Sequence, residues 1–336
     1  MKKMEHIQVL RALACLGVFV THLAPRMGVT GAAAKIANFG ASGVYLFFLI
    51  SGYLICMQSG IGPGCGKKEL KTYYLKRLFR ILPLYYSVVV CNMILHIFIL
   101  QDVTPDPAGL KWFRYFFLTN AFLPAPDNFW SNLSATWTIS LFVVFYLAAP
   151  LLRRLMTDVK SSVLLYLAAL ALRYVWAQTP WSGYMMIFYY LHFFLLGMVI
   201  WQLEQRLKSK MATVVLAVGG AAIWSLVRIL GQEPDYFTTW SWVFAAVLLM
   251  SRGLSLKEGI FRRCVTAVDR YSFSIYLVHA LVLDGIVLLQ GKITLPAAVV
   301  FLLAAGLTAA GTAAAELVIE RPSKKLCARL VGYHGM

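Results

Sequence analysis

The chain has 336 residues, of which 60% are hydrophobic and 13% are charged, and its mean hydropathy is +0.72. Soluble domains are about 45–50% apolar and about 25% charged, so this composition excludes a soluble globular protein. The formal net charge of +17 is typical of nucleic-acid binding proteins, but most basic residues lie between apolar segments, which argues against that class.

Ten apolar segments follow one another, each near the length that an α-helix needs to cross a bilayer. They are residues 7–24, 39–58, 82–100, 136–152, 161–177, 184–203, 211–230, 236–251, 272–290 and 296–318. We therefore predict an all-α, polytopic membrane protein with about ten transmembrane helices, forming one domain over residues 1–336. No small-residue cleavage site follows the first segment, so we expect a membrane span there and not a cleaved signal peptide.

The Lys and Arg residues lie mainly on one side of the predicted membrane. If the amino terminus is cytoplasmic and the spans alternate, most of the 31 basic residues fall in inner segments. Such an excess follows the positive-inside rule, so we predict that both termini are cytoplasmic. The basic residues would then meet membrane lipids, and nucleic acid is not an expected partner.

The cysteines give no sign of a metal site or of disulfide bonds. None belongs to a CxxC pair or to a Cys/His cluster with the spacing of metal ligands, and none falls in a predicted outer loop. We expect small apolar side chains within helices at Cys15, Cys56, Cys65, Cys91, Cys264 and Cys327.

The first span carries Arg11 and His22 in the segment IQVLRALACLGVFVTH (7–22). Helical geometry brings the two side chains within about 20° of one another, about 16 Å apart along the axis. Ionisable residues inside a bilayer are costly and indicate a functional site. Alternatively, Arg11 snorkels to the inner interface and His22 is an outer interfacial residue.

Arg77 and Arg80 occur in RLFR at the start of the third span, with Lys76 beside them. A spacing of three places both guanidinium groups on one side of a helix, a pattern that suits phosphate binding. The alternative is a positively charged anchor next to anionic lipids. In the second span, Ser51 and Gly52 predict close packing between helices.

Other polar residues within or beside the predicted spans are His96, Arg173, His192, His279, Glu316 and Glu320. Each can be a residue whose hydrogen bonds are satisfied between helices. His279 lies in YSFSIYLVHALV (271–282), two turns into its span. Glu320 closes the last span on the inner side, where it can pair with an arginine or remain solvated.

In chain order, these segments resemble the acyltransferase-3 family of integral membrane acyltransferases. The Arg-x10-His pattern of residues 7–22, the segment GVYLFFLISGYLI (43–55) and the Arg-x-x-Arg of RLFRILPLYY (77–86) match that family. FFLLGMVIWQLE (193–204), YSFSIYLVHALV and IERPSKKL (319–326) follow in family order. Each segment alone is a weak match, whereas the ordered set covers nearly the whole chain and is specific.

The resemblance implies an enzyme of the bacterial inner membrane that transfers acyl groups, often acetyl, to hydroxyls of sugars. Family acceptors include lipopolysaccharide O-antigen, exopolysaccharide, peptidoglycan and small molecules such as macrolide sugars. By position, His22 and Arg11 match the family's essential pair, and Arg77 and Arg80 match the pair thought to serve the acyl donor. The expected partners are acyl-CoA as co-substrate and a sugar or lipid-linked glycan as acceptor, with no bound cofactor.

Two departures from the family pattern concern acidic residues. Tyr45 stands where many members have an acidic residue, and Phe142 and Val143 stand where a glutamate is expected in WTISLFVVFYL (137–147). The identity of the acceptor therefore cannot be transferred from better-known members. The chain stops soon after its ERP segment, so we expect it to lack the SGNH-type hydrolase domain that some members append.

These features together predict that His22 acts as general base on the acceptor hydroxyl, because a neutral imidazole suits that role near pH 7. A covalent acyl-histidine relay is the alternative. Arg77, Arg80 and Lys76 would hold the donor phosphates, and Arg11 would orient the donor or stabilise negative charge. Supporting roles are open to Ser51, Trp137, His279 and Glu320.

Two other classes of function remain compatible with the sequence. A polytopic transporter or glycan exporter would also have many spans and intramembrane ionisable residues. A non-enzymatic assembly subunit would have the spans without the chemistry. Binding of coenzyme A separates the enzyme from both classes, whereas the sequence leaves the acyl chain and the oligomeric state open.

Overall fold

The computed structural model describes residues 4–101, 114–122, 136–182, 185–206, 210–231 and 236–332, which form helices and turns without a β-strand. The helices are α1 (Glu5–Leu23), α2 (Gly31–Phe39), α3 (Gly43–Cys56), α4 (Lys67–Ile94), α5 (Trp137–Leu155), α6 (Val159–Ala177), α7 (Ile187–Arg206), α8 (Lys210–Gly231), α9 (Tyr236–Met250), α10 (Ile260–Gln290), α11 (Ala297–Ala315) and α12 (Arg321–Val331). Short 3-10 or π-helical turns extend several of them, including Leu95–Leu100 after α4 and Glu316–Glu320 between α11 and α12. The all-α prediction is confirmed.

Eight helical segments of the described residues are long and apolar enough to cross a membrane. They correspond to the first six, the ninth and the tenth predicted spans. The seventh and eighth predicted spans coincide with α8 and α9, of which Trp240–Met250 is a shorter apolar helix. Large apolar side chains such as Leu13 and Leu302, 60% and 67% exposed, point away from the helix bundle. The polytopic membrane class is confirmed, while ten crossings and a cytoplasmic amino terminus stay predictions.

Several helices extend beyond the apolar segments that predicted them. The third span was expected over residues 82–100, yet its helix begins at Lys67. The ninth was expected from residue 272, yet its helix begins at Ile260. A hydropathy window stops at charged residues, whereas a helix continues through them because Lys and Arg are good helix formers. The basic residues of both segments therefore lie on rigid helices.

Helices α1 and α10 pack side by side and run in the same direction. Gln8 lies 3.4 Å from Asp269, Arg11 lies 3.1 Å from Ser272, and His22 lies 2.9 Å from His279. The separation in sequence stays between 257 and 261 residues along this seam, which requires parallel helices. The seam brings both ionisable residues of the first span against the ninth.

Glycines allow α3 and α7 to approach closely. A Cβ atom at Gly52 would overlap the carbonyl oxygen of Phe194, and one at Gly197 would overlap that of Leu49. Small residues at such crossings let backbones touch inside a membrane. The contact sits in the largest buried cluster, in which Phe48 and Phe194 are fully buried. The predicted packing role of Gly52 is confirmed.

Two prolines inside helices each free a carbonyl oxygen, because proline has no N–H to bond the residue four positions earlier. Pro150 in α5 frees the carbonyl of Tyr146, which accepts a hydrogen bond from the Tyr73 hydroxyl at 3.1 Å. Pro83 in α4 frees the carbonyl of Phe79, which accepts from the hydroxyl of Ser323 in α12 at 2.7 Å. Backbone groups in a bilayer need such partners, so these bonds tie α4 to α5 and α12.

Candidate active site

A cavity of about 820 Å³ lies between α1, α3, α4, α5 and α10. Along α4 its lining runs from Lys68 to Ile81, about 20 Å at the helical rise of 1.5 Å per residue. Residues from the ends of the bundle, including Gly60 and Gly332, line it beside Lys68. Five of the predicted site residues line this one cavity: Arg11, Ser51, Lys76, Arg77 and Arg80.

The lining is strongly cationic. Among the described residues that line it, the charged groups are five cations, Arg11, Lys68, Lys76, Arg77 and Arg80, and one carboxylate, Glu69. Arginine stays charged under all ordinary conditions and offers five N–H donors in a planar fork. A cavity with this surplus of positive charge attracts a ligand that carries several negative charges.

Two tyrosines hold the guanidinium of Arg77. Its Cζ atom lies 4.6 Å from the ring centre of Tyr146 and 5.6 Å from that of Tyr73. The Tyr73 ring is fixed in turn, because its hydroxyl binds the carbonyl that Pro150 frees. The sequence predicts the cation at this position but gives no sign of the two rings beneath it.

Arg11 is anchored to α10. Its Nη1 atom forms an ion pair with Asp269 at 2.9 Å, and its Nη2 atom donates to the hydroxyl of Ser272 at 3.1 Å. A buried carboxylate and a hydroxyl thus fix the guanidinium where it lines the cavity. Sequence reasoning missed Asp269 and Ser272, although their spacing of three on a helix puts both on the face that meets Arg11.

Arg80 is exposed and lines the cavity, and the nearby charges of Arg11, Arg77 and Glu320 act on it. Glu320 does not line the cavity. Its carboxylate accepts a hydrogen bond from Ser274 and binds Lys324 at 2.9 Å. The negative charge of Glu320 therefore acts on Arg80 from outside the cavity lining, and Glu320 is not placed to bind a ligand in the cavity.

His22 and His279 form a hydrogen-bonded pair outside the cavity lining. Nδ1 of His22 lies 2.9 Å from Nε2 of His279, and Nδ1 of His279 lies 3.0 Å from the carbonyl oxygen of Ile275. His279 is 1% exposed, whereas His22 is partly exposed. The sequence predicts both histidines but not their contact, because the pair joins residues 257 positions apart.

One end of the cavity approaches this histidine pair. Thr138 and Tyr276 line that end, and their hydroxyls lie 2.9 Å apart. The ring of Tyr276 is 5.8 Å from that of His279, one helical turn further along α10. The cavity therefore extends from the cations to Tyr276, which packs against His279, the hydrogen-bond partner of His22.

Aromatic side chains occupy the positions where acidic residues were expected. Phe142 lines the cavity and packs against Phe48 and Phe194, with ring centres 5.0 and 5.7 Å away. Tyr45 stacks on Phe193 with ring centres 5.0 Å apart. Part of the wall is thus apolar. Trp137, predicted as a supporting residue, packs against aromatic rings and does not line the cavity.

The described residues contain no cluster of three or more His, Cys, Asp or Glu side chains that could hold a metal ion. All six cysteines are free thiols.

Comparison with known proteins relates the chain to acyltransferases. The profile of a family described as an acyltransferase domain matches residues 4–315. The acyltransferase MdmB of Streptomyces mycarofaciens is 28% identical over 169 residues, which cover 48% of this chain and 42% of MdmB. The match thus spans less than half the length of this curated relative. No solved structure matches the chain.

Proposed function

We propose that this chain, which belongs to the acyltransferase-3 family and has helices long and apolar enough to cross a membrane, is a membrane acyltransferase whose reaction the cavity serves. It transfers an acyl group, with acetyl as the first candidate, from acyl-CoA to a hydroxyl of a sugar or cell-surface glycan. One observation carries the proposal: a single cavity has five cationic side chains in its lining and reaches Tyr276, which packs against His279, the hydrogen-bond partner of His22.

The cations suit the phosphates of coenzyme A. Arg77 and Arg80 project into the cavity from one side of α4, and Lys76 lies beside them. Guanidinium binds phosphate in a bidentate manner, and several such contacts give affinity and orientation. The same cavity is lined by these cations and by Tyr276, so a donor whose phosphates they bind can place its thioester near Tyr276.

The chemical step is nucleophilic attack of the acceptor hydroxyl on the thioester carbonyl carbon. His22 takes the hydroxyl proton as the new C–O bond forms, because an alcohol is a poor nucleophile without a base. The C–S bond then breaks, and the departing thiolate of coenzyme A receives a proton. Arg11, held by Asp269, lines the cavity where it can orient the donor and stabilise negative charge.

In the predicted orientation, the acyl donor and the glycan acceptor approach from opposite sides of the membrane. Lys68 and Lys76 lie at the end of the bundle that the positive-inside rule assigns to the cytoplasm, where acyl-CoA is found. His22 lies further out along α1, on the side from which a glycan would arrive. This arrangement fits a multi-pass protein of the bacterial inner membrane with both termini cytoplasmic.

Donor binding is tested with purified protein and coenzyme A. We expect coenzyme A to raise the unfolding temperature of the wild type, and Arg77→Ala/Arg80→Ala to abolish that rise. The matched control is Arg154→Ala/Arg206→Ala, which removes the same charge from exposed positions outside the cavity. An equal rise in both double variants would contradict phosphate binding by Arg77 and Arg80.

Transfer is tested with membranes of the producing strain and labelled acetyl-CoA. We expect label to enter the glycan fraction with the wild type and not with His22→Ala. Retention of the coenzyme A shift by His22→Ala is the control for folding. Transfer by His22→Ala at the wild-type rate would exclude the general-base role. Movement of a glycan across vesicles without any acyl donor would instead favour the transporter class.

A further inference from the structure

We propose that His279 is a positioning residue that sets the tautomer of His22, so that Nε2 of His22 is the atom that receives the acceptor proton. The inference rests on the proposed function and deepens it. It concerns a residue that does not contact the substrate, because His279 is 1% exposed and does not line the cavity.

The first step concerns His279 itself. Its Nδ1 atom lies 3.0 Å from the carbonyl oxygen of Ile275, which can only accept a hydrogen bond. Nδ1 of His279 therefore carries hydrogen. A buried imidazolium without a carboxylate partner is costly in a membrane protein, so the resting ring is neutral and has one N–H. Its Nε2 atom is then an acceptor.

The second step follows for His22. Because Nε2 of His279 accepts, Nδ1 of His22 must donate across the 2.9 Å between them. The single hydrogen of a neutral His22 ring is thereby placed on Nδ1. Its Nε2 atom keeps a lone pair and is free to act as the base. A hydrogen bond at one ring nitrogen commonly decides which nitrogen does the chemistry.

Neighbouring side chains hold the two imidazole rings in this hydrogen-bonded arrangement. The two rings lie 5.2 Å apart between centres with an interplanar angle of 16°. Phe19 meets the His279 ring edge-on at 6.1 Å, and Tyr276 packs at 5.8 Å. Arg26, the charged residue beside the pair, donates to the backbone carbonyl of His22 at 2.5 Å. Neither ring can rotate without breaking these contacts.

The proton is accounted for throughout the reaction. It leaves the acceptor hydroxyl and joins Nε2 of His22 while the C–O bond forms. The resulting imidazolium still donates from Nδ1 to His279, whose neutral ring stabilises the positive charge by that hydrogen bond. His22 then returns the proton to the coenzyme A thiolate as the C–S bond breaks, which restores the resting tautomers.

The test compares two variants at the same position. His279→Leu removes the acceptor, whereas the side-chain oxygen of His279→Gln can accept from His22 near the former place of Nε2. Transfer of label from acetyl-CoA to the glycan fraction is followed at varied acetyl-CoA concentration. We expect His279→Leu to lower kcat about 100-fold with unchanged KM for acetyl-CoA, and His279→Gln to recover at least about tenfold of that loss.

A second measurement reports the tautomer directly. In nitrogen NMR spectra of histidine-labelled protein, the wild type should show hydrogen on Nδ1 of His22, and His279→Leu should lose that preference. Equal loss of kcat in both variants, a change confined to KM, or an unchanged tautomer would overturn the inference. Failure of the proposed function looks different, because the wild type itself would then transfer no label.

Discussion

The cationic cavity and the histidine pair outside its lining differ in how their side chains are held. In the cavity, Lys76 and Arg80 are exposed and several positive groups share one task. In the histidine pair, His279 is 1% exposed, its Nε2 atom lies against His22, and its Nδ1 atom lies against the carbonyl oxygen of Ile275. The comparison teaches that donor binding is distributed over many groups, whereas proton transfer depends on one fixed pair. Single substitutions among the cations should therefore weaken donor binding gradually, whereas a substitution in the histidine pair should lower the rate of transfer abruptly.

Arg11 lines the cationic cavity and is also held by an ion pair with Asp269, and its substitution should have the largest effect on the stability of the fold. Arg11→Ala leaves the carboxylate of Asp269 buried without its ion-pair partner, which costs about 3–5 kcal/mol. We expect a marked fall in the unfolding temperature of the purified protein. The double variant Arg11→Ala/Asp269→Ala should recover much of the stability, because the uncompensated charge is gone.

The same double variant separates stability from donor binding. It still lacks the guanidinium that lines the cavity, so coenzyme A should raise its unfolding temperature less than that of the wild type. If Arg11→Ala were as stable as the wild type, the ion pair with Asp269 would have no structural importance. If the double variant bound coenzyme A fully, Arg11 would be a scaffold residue only.

Tyr73→Phe should have an intermediate effect. It removes the hydroxyl that satisfies the Tyr146 carbonyl freed by Pro150, which costs about 1–3 kcal/mol for a buried unpaired group. Phenylalanine keeps the ring over which Arg77 packs but loses the hydroxyl bond that fixes that ring, so affinity for coenzyme A should fall about two- to fivefold. Thermal unfolding with and without coenzyme A measures both quantities.

The Pro150→Ala protein, used as a second background, shows whether the unpaired Tyr146 carbonyl causes the loss of stability in Tyr73→Phe. Pro150→Ala restores an N–H to which the Tyr146 carbonyl can bond within α5. Tyr73→Phe should therefore cost less stability in the Pro150→Ala protein than in the wild type. An equal cost in both backgrounds would show that the Tyr73 hydroxyl stabilises the protein in another way.

Lys76→Ala should have the smallest effect. The side chain is exposed, and contributions of exposed charges are about 0–1 kcal/mol, so affinity for coenzyme A should fall no more than about fivefold. The loss should shrink as salt is added, because salt screens exposed charges. A loss as large as that of Arg77→Ala/Arg80→Ala would contradict a distributed binding surface.

Features that depend on one helix could be predicted from the sequence. Apolar length gave the spans, and the spacing of three placed Arg77 and Arg80 on the same wall of the cavity. The approach of α3 to α7 at Gly52 was also predictable, because a glycine within an apolar helix indicates close packing.

Features that join two helices could not be predicted in this way. The contact of His22 with His279 and the ion pair of Arg11 with Asp269 both depend on α1 and α10 running parallel in one register. Periodicity describes which face of a helix is polar, but it does not say which face of another helix will meet it. The hydrogen bond from the Tyr73 hydroxyl to the Tyr146 carbonyl could not be predicted for the same reason, since only helix packing brings α4 to that carbonyl.

The central claim is that the cavity's arginines bind the donor whereas His22, outside the cavity lining, acts as the base, and one kinetic comparison tests it most directly. Acetyl transfer to glycan is measured against acetyl-CoA concentration for Arg77→Ala/Arg80→Ala and for His22→Ala. The account predicts a raised KM with nearly unchanged kcat for the arginine variant. For His22→Ala it predicts loss of kcat while coenzyme A still raises the unfolding temperature. Loss of kcat with unchanged KM in the arginine variant, or loss of coenzyme A binding in His22→Ala, would contradict it.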